Sequence, residues 1–209
     1  MSSVQGNVGP LIYGSVTQEQ VTAMMGRFKE LGISQVLPEY ALATLNDFTY
    51  HACTQAGVAI TVALGTVVTG FCLSNAPGSG RVLIPLQSLV DPTTAPAGIA
   101  KMGWGYSYHA STLVTHTTPL VVRAGLMGAL AAADPKHGLA DSSATVPATQ
   151  VALRPILGGP VATGSISDAN TPDNWNGSVV LMPGGSLSTF VLTTAISAMI
   201  SMSWLSLPL

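Results

Sequence analysis

A chain of 209 residues with a net charge of −2 has room for one full-sized domain and an appendage, and not for two full domains with linkers. Its seven Lys and Arg residues are scattered, which leaves no basic stripe for nucleic acid. Charged residues are 8 % of the chain against roughly 25 % in an average soluble protein. Ser, Thr, Asn, Gln and 22 Gly residues therefore fill the polar positions, a composition that suits strands, turns and protein–protein surfaces, and a surface this close to neutral favours self-association. Residues Met1 to Asn7 have neither a basic nor an apolar signal-peptide region, so export by that route is not expected.

The first 50 residues read as an N-terminal arm. Thr17 and Gln20 form a capping box, Val16 and Val21 a hydrophobic staple, and Gly32 supplies a C-terminal turn. Between them Val21, Met24, Met25, Phe28 and Leu31 recur at helical spacing, which predicts an amphipathic helix over about 17–31. Its stripe needs a partner, either the chain's own β domain or a neighbouring subunit, which makes these five residues a candidate interaction surface. Leu37-Pro38-Glu39 interrupts any helix, and Tyr40, Leu42, Leu45 and Phe48 fit a short helix or an extended strap.

From His51 to the end, turn signals recur at short intervals, as in a sandwich. Val58, Ile60, Val62 and Leu64 alternate in one phase and Val67, Thr69, Phe71 and Leu73 in the other, which predicts a turn or bulge at Gly65–Thr66. Val82, Ile84, Leu86 and Val90 alternate around Pro85, which marks an edge or broken strand before a loop that opens at Asp91–Pro92. Trp104, Tyr106 and Tyr108 alternate with Gly105, Ser107 and His109, and the Ala-rich stretch 129–133 precedes a loop tip at 134–138. Asn176–Gly177 is a hairpin-turn pair. In the last segment Phe190, Leu192, Ile196, Ile200, Met202 and Trp204 sit at even positions and hydroxyl residues at odd ones, with Val191 and Met199 breaking the pattern near Ala198. Residues 48–80 and 174–209 carry no charge, yet this period of two belongs to half-buried strands and not to membrane helices. The expected fold is all-β, a jelly-roll-like β-sandwich over 51–209 behind a short N-terminal helical arm over 1–50.

Chemistry is sparse. His109 and His116, seven apart, fall on opposite faces of a strand, which disfavours a shared metal, and His137 lies in a loop. His51 and Cys53 share a face, but nothing nearby would orient the imidazole for a Cys–His pair. Cys53 and Cys72 lack metal-ligand spacing and read as buried thiols. Asp91, Asp134, Asp168 and Asp173 stand in turn contexts, where carboxylates cap backbone amides. No catalytic, cofactor-binding or metal-binding residue is assigned, and no enzyme activity is expected. Trp104, Tyr106 and Tyr108 would form a sugar-stacking platform if they faced solvent; the Gly, Ser and His residues on their other face favour core packing instead.

The run Phe71-Cys72-Leu73-Ser74-Asn75-Ala76-Pro77-Gly78-Ser79-Gly80-Arg81-Val82-Leu83 resembles a passage in small virion structural proteins of tailed bacteriophages. So do Thr115-His116-Thr117-Thr118-Pro119-Leu120 and Leu157-Gly158-Gly159-Pro160-Val161-Ala162-Thr163-Gly164, in the same order. The resemblance covers about Tyr50 to the end, is turn-centred and carries no functional residue. It implies a homotrimeric jelly-roll protein, assembled in the host cytoplasm, that decorates or cements the capsid exterior and binds the major capsid protein, with no nucleic-acid or membrane partner. The alternatives are a host-glycan receptor-binding or tail-spike module, and a hydrolase using His51 or Cys53.

Overall fold

A computed structural model describes residues 4–7, 20–25, 31–32, 40–98, 100–126, 134–156 and 172–209. The chain divides into two compact units, Met1–Phe48 and Thr49–Leu209.

In the first unit, strands β1 (Val4–Asn7), β2 (Gln20–Met25) and β3 (Leu31–Gly32) form an antiparallel sheet in the order β1-β2-β3. Within the span 17–31 where a helix is expected, the described residues 20–25 and 31–32 are strand instead: Val21 pairs with Gly6 and Met24 with Gly32. Helical spacing is a local signal. Here backbone pairing on both sides of a segment containing the β-branched pair Val21–Thr22 overrides it. Of the two readings open for 40–48, the short helix holds. Helix α1 (Ala41–Leu45) follows Tyr40, whose carbonyl accepts from both the amide and the hydroxyl of Thr44 at 2.9 Å, and Asp47 at φ 56° ends it.

The second unit is all-β, two antiparallel sheets in a sandwich-like arrangement. Its strands are β4 (Thr49–Cys53), β5 (Val58–Ala59), β6 (Val67–Ser74), β7 (Arg81–Pro92), β8 (Met102–Tyr108), β9 (Thr115–Pro119), β10 (Arg123–Ala124), β11 (Leu139–Thr145), β12 (Val151–Pro155), β13 (Asp173–Asn174), β14 (Gly185–Val191) and β15 (Ser197–Pro208). One sheet runs β10-β4-β15-β7-β13, with β5 also on β15; the other runs β12-β8-β14-β6-β11-β9. The core between them holds Phe71, Leu73 and Leu187 from the second sheet against Leu83, Ile200 and Met202 from the first. Apolar alternation gives each strand one face to bury, and facing sheets bury both.

Several expectations are redrawn by pairing. The strand expected through Leu64 ends at Ala59; Ile60 enters the core while Ala63 takes φ 75° and the Thr61 and Thr69 hydroxyls meet at 2.7 Å. Pro85 lies inside a twelve-residue strand between two neighbours, and Asp91–Pro92 is the end of that strand. The ladder jumps from Ser203↔Gln87 to Trp204↔Pro85, so Leu86 is a bulge, which tolerates a proline without an N–H and flips the phase so that Leu83 and Val90 both reach the core. The irregularity expected near Ala198 falls instead between strands, at 192–196. Asn176 and Gly177 form the expected turn with φ 47° and 72°, closed by the Ser178 amide on the Trp175 carbonyl at 2.9 Å. Residues 129–133 and 157–164 lie outside the described residues.

The second sheet is covered on its outer face too. Val114, in the connection from β8 to β9, packs with Val68, Cys72, Ala144 and Val146. Gln150, before β12, accepts from the Ser188 hydroxyl at 2.6 Å, and the Ala148 carbonyl accepts from Ser107 at 2.8 Å. Buried on both sides, β14 has no exposed residue. Among the described residues no helix is long and apolar enough to cross a membrane.

Candidate interaction surface

The three aromatic residues of β8 point to one face of the strand but meet different surroundings. Trp104 is fully buried and makes edge contacts with Trp175 and Phe71 at centroid distances of 5.6 and 6.3 Å. It cannot serve as an interaction surface. Tyr106 is half-buried against the core, and burial together with the neighbouring Tyr108 raises its phenol pKa. Tyr108, at the rim, is 47 % exposed. The opposite face needs glycine because it is covered: a Cβ on Gly103 would stand 2.6 Å from Phe190 Cζ, and one on Gly105 2.4 Å from Gln150 Oε1. Of the arm residues, Val21, Met24 and Met25 lie on β2 and Leu31 on β3; Phe28 is outside the described residues.

Two residues that sequence reasoning did not single out adjoin the rim tyrosines. Val151 on β12 pairs with Tyr106 and is 67 % exposed, and Met182, 46 % exposed, precedes the Gly185 that pairs with Tyr108. The Gly185 amide donates to the Met182 carbonyl at 2.8 Å, and a Cβ at Gly185 would lie 3.5 Å from Tyr106 Cε2. Tyr106, Tyr108, Val151 and Met182 thus make an uncharged, largely apolar patch at the edge of the sandwich. Nothing local in the sequence marks Val151 as exposed, because its exposure follows from β12 being an edge strand. That edge is itself unsuited to pairing with another strand: its register shifts between Ala152 and Arg154, and Pro155 ends it. The opposite edge β9 has two register shifts against β11 and ends in Pro119. Bulges and prolines do here what charged residues do on most sheet edges.

The titratable groups are occupied elsewhere. His51 Nδ1 lies 2.7 Å from Ser203 Oγ, and Cys53 donates to the Thr54 carbonyl at 3.2 Å. Burial lowers the His51 pKa and raises that of Cys53, opposite to a thiolate–imidazolium pair. Cys53 is exposed, against expectation, because β10 pairs only with Tyr50 and His51 and leaves the end of β4 open. Cys72 is buried, and burial and the Asp141 carboxylate beside it push its thiol far up. His116 meets that fully buried carboxylate through Nδ1, while His109 Nδ1 serves its own turn, so the two histidines do not converge. Asp134 caps the Lys136 amide at 3.0 Å, as a turn aspartate should.

Asp173 does something different: it pairs with Arg154 across the two sheets, and Arg154 also stacks over Trp175. Burial raises the Asp173 pKa against the opposing pull of Arg154. The Trp104 indole N–H also favours the charged carboxylate. Among the described residues no three His, Cys, Asp or Glu side chains are placed to hold a metal.

No protein family, curated protein or solved structure matches the chain.

Proposed function

We propose that this chain is a phage virion structural protein, a jelly-roll decoration or cement protein that assembles as a homotrimer, binds the major capsid protein on the capsid exterior and stabilises the shell. The observation that carries the reading is the uncharged patch of Tyr106, Tyr108, Val151 and Met182 on a chain with only 8 % charged residues. Neutral, partly apolar surface lowers the desolvation cost of docking, and three copies on one particle turn weak single contacts into firm attachment. Blunted strand edges fit the same role, since a protein that must associate through side-chain surfaces gains from avoiding open-ended edge pairing. Electron microscopy of particles bearing the protein tests the proposal: knobs on the shell are expected, and a tail location rejects it.

The exposure of Tyr108 supports a second reading, in which the rim stacks on host glycans. The buried Trp104 removes the largest ring from that platform. Glycan-array binding lost in Tyr108→Ala would favour it over the capsid role.

A further inference from the structure

His109 follows β8 and His116 sits on β9, so one short connection joins two imidazoles, and they respond to protonation in opposite ways. His109 Nδ1 accepts from the Thr112 amide at 2.9 Å and from the Ser111 amide at 3.4 Å. A ring nitrogen that accepts two N–H groups carries no proton, so this turn needs the neutral ring with its hydrogen on Nε2. Protonation puts an N–H at Nδ1, facing the two amides, and both bonds are lost. His116 meets the buried Asp141 carboxylate, a contact that a charged ring strengthens. Between them, Val114 packs in the cluster that contains the buried Cys72 thiol.

We propose that His109 is an acid-sensitive latch: while its ring is neutral it holds residues 109–114 over Cys72, and when the ring gains a proton it lets that connection loosen, with β9 kept in place by His116 and Asp141. The titratable groups facing this region are Cys72 on β6, Asp141 on β11, His116 on β9, and Tyr108, which precedes the turn. Against the turn itself stands the backbone of Gly184, whose carbonyl accepts from the His109 amide at 3.1 Å. His109 forms no ion pair among the described residues, so its own proton is the charge that the turn gains. The device does not depend on the virion assignment.

The test uses the full chain carrying Cys53→Ser, which leaves Cys72 as its one thiol. Two quantities are followed from about pH 8 to about pH 5, the span in which histidine titrates. One is exchange of the Ser111 and Thr112 amides, corrected for intrinsic rates. The other is modification of Cys72 by a dithiodipyridine, relative to the same chain unfolded in urea at each pH. Both should rise about fivefold on acidification, the factor equivalent to one hydrogen bond of about 1 kcal/mol. Both should stay flat in His109→Asn, whose side-chain oxygen accepts from nearby amides at any pH. Protection independent of pH in the chain with His109 overturns the proposal whether or not the variant folds. An equal rise in the variant overturns it, because another group is then titrating. So does amide loosening above a still-sealed Cys72, since the turn then holds nothing over the thiol.

Discussion

The guanidinium of Arg154, on the edge strand of one sheet, lies 4.6 Å from the ring centre of Trp175, which is anchored to the other sheet by its indole N–H on Ser88 at 2.9 Å. With its ion pair to Asp173 on the edge strand of that sheet, Arg154 joins both sheets along one side of the sandwich, and it continues an aromatic row through Trp104 to Phe71.

Removing the cation should leave a largely buried carboxylate without its partner. Arg154→Met keeps the hydrocarbon stem and should cost about 2–3 kcal/mol in urea unfolding near neutral pH. The sign with pH follows from the raised pKa of Asp173: its contribution to stability is present below the unfolded carboxylate value and is lost as pH rises through the folded one. The penalty of Arg154→Met should therefore shrink in acid, where Asp173 is protonated. A penalty that grows in acid would contradict the assignment.

His51 has the opposite linkage. Burial lowers its pKa, so the stability tied to its neutral form is full above the unfolded histidine value and is lost as pH falls through the folded value. His51→Gln should lose less thermal stability than the parent chain between about pH 7.5 and about pH 5. Equal losses would mean that His51 stays uncharged for no energetic reason.

Gly184 should be irreplaceable. Its φ is 91°, and a Cβ there would stand 2.2 Å from the His109 carbonyl oxygen, a backbone atom that cannot swing aside. Gly184→Ala should cost at least about 3 kcal/mol, combining left-handed strain with the clash; near-native stability in urea would refute it. Gly78, also at positive φ but with nothing within 4 Å, should lose only about 1 kcal/mol on the same change.

The two thiols should differ in reactivity. Cys53 is exposed and Cys72 buried with its thiol pKa pushed up, so one equivalent of a thiol reagent should react quickly at neutral pH and the second far more slowly until denaturant is added. Two fast equivalents would contradict the burial of Cys72.

If the rim patch carries association, Tyr108→Ser combined with Val151→Thr should weaken oligomerisation at least tenfold in sedimentation equilibrium, the scale of losing one contact residue of about 1.4 kcal/mol, with an unchanged circular-dichroism spectrum. Unaltered association would move the interface elsewhere on the chain.

Local order was written in the sequence. The alternation of Ile200, Met202 and Trp204 with Ser201 and Ser203 requires a strand with one buried face, and β15 buries those three residues. Asn176–Gly177 specified its turn because few other pairs adopt two successive positive φ angles. Both depend only on residues a few positions apart. What long-range pairing decided was different in kind: that Gln20–Met25 is a strand, that Pro85 rests at a bulge inside a long one, that Trp104 is sealed while Tyr108 reaches water, and that Arg154 finds Asp173 and His116 finds Asp141. A side chain's face is set by its own strand, but whether that face is covered depends on which segments arrive opposite it, and no short stretch of sequence contains both.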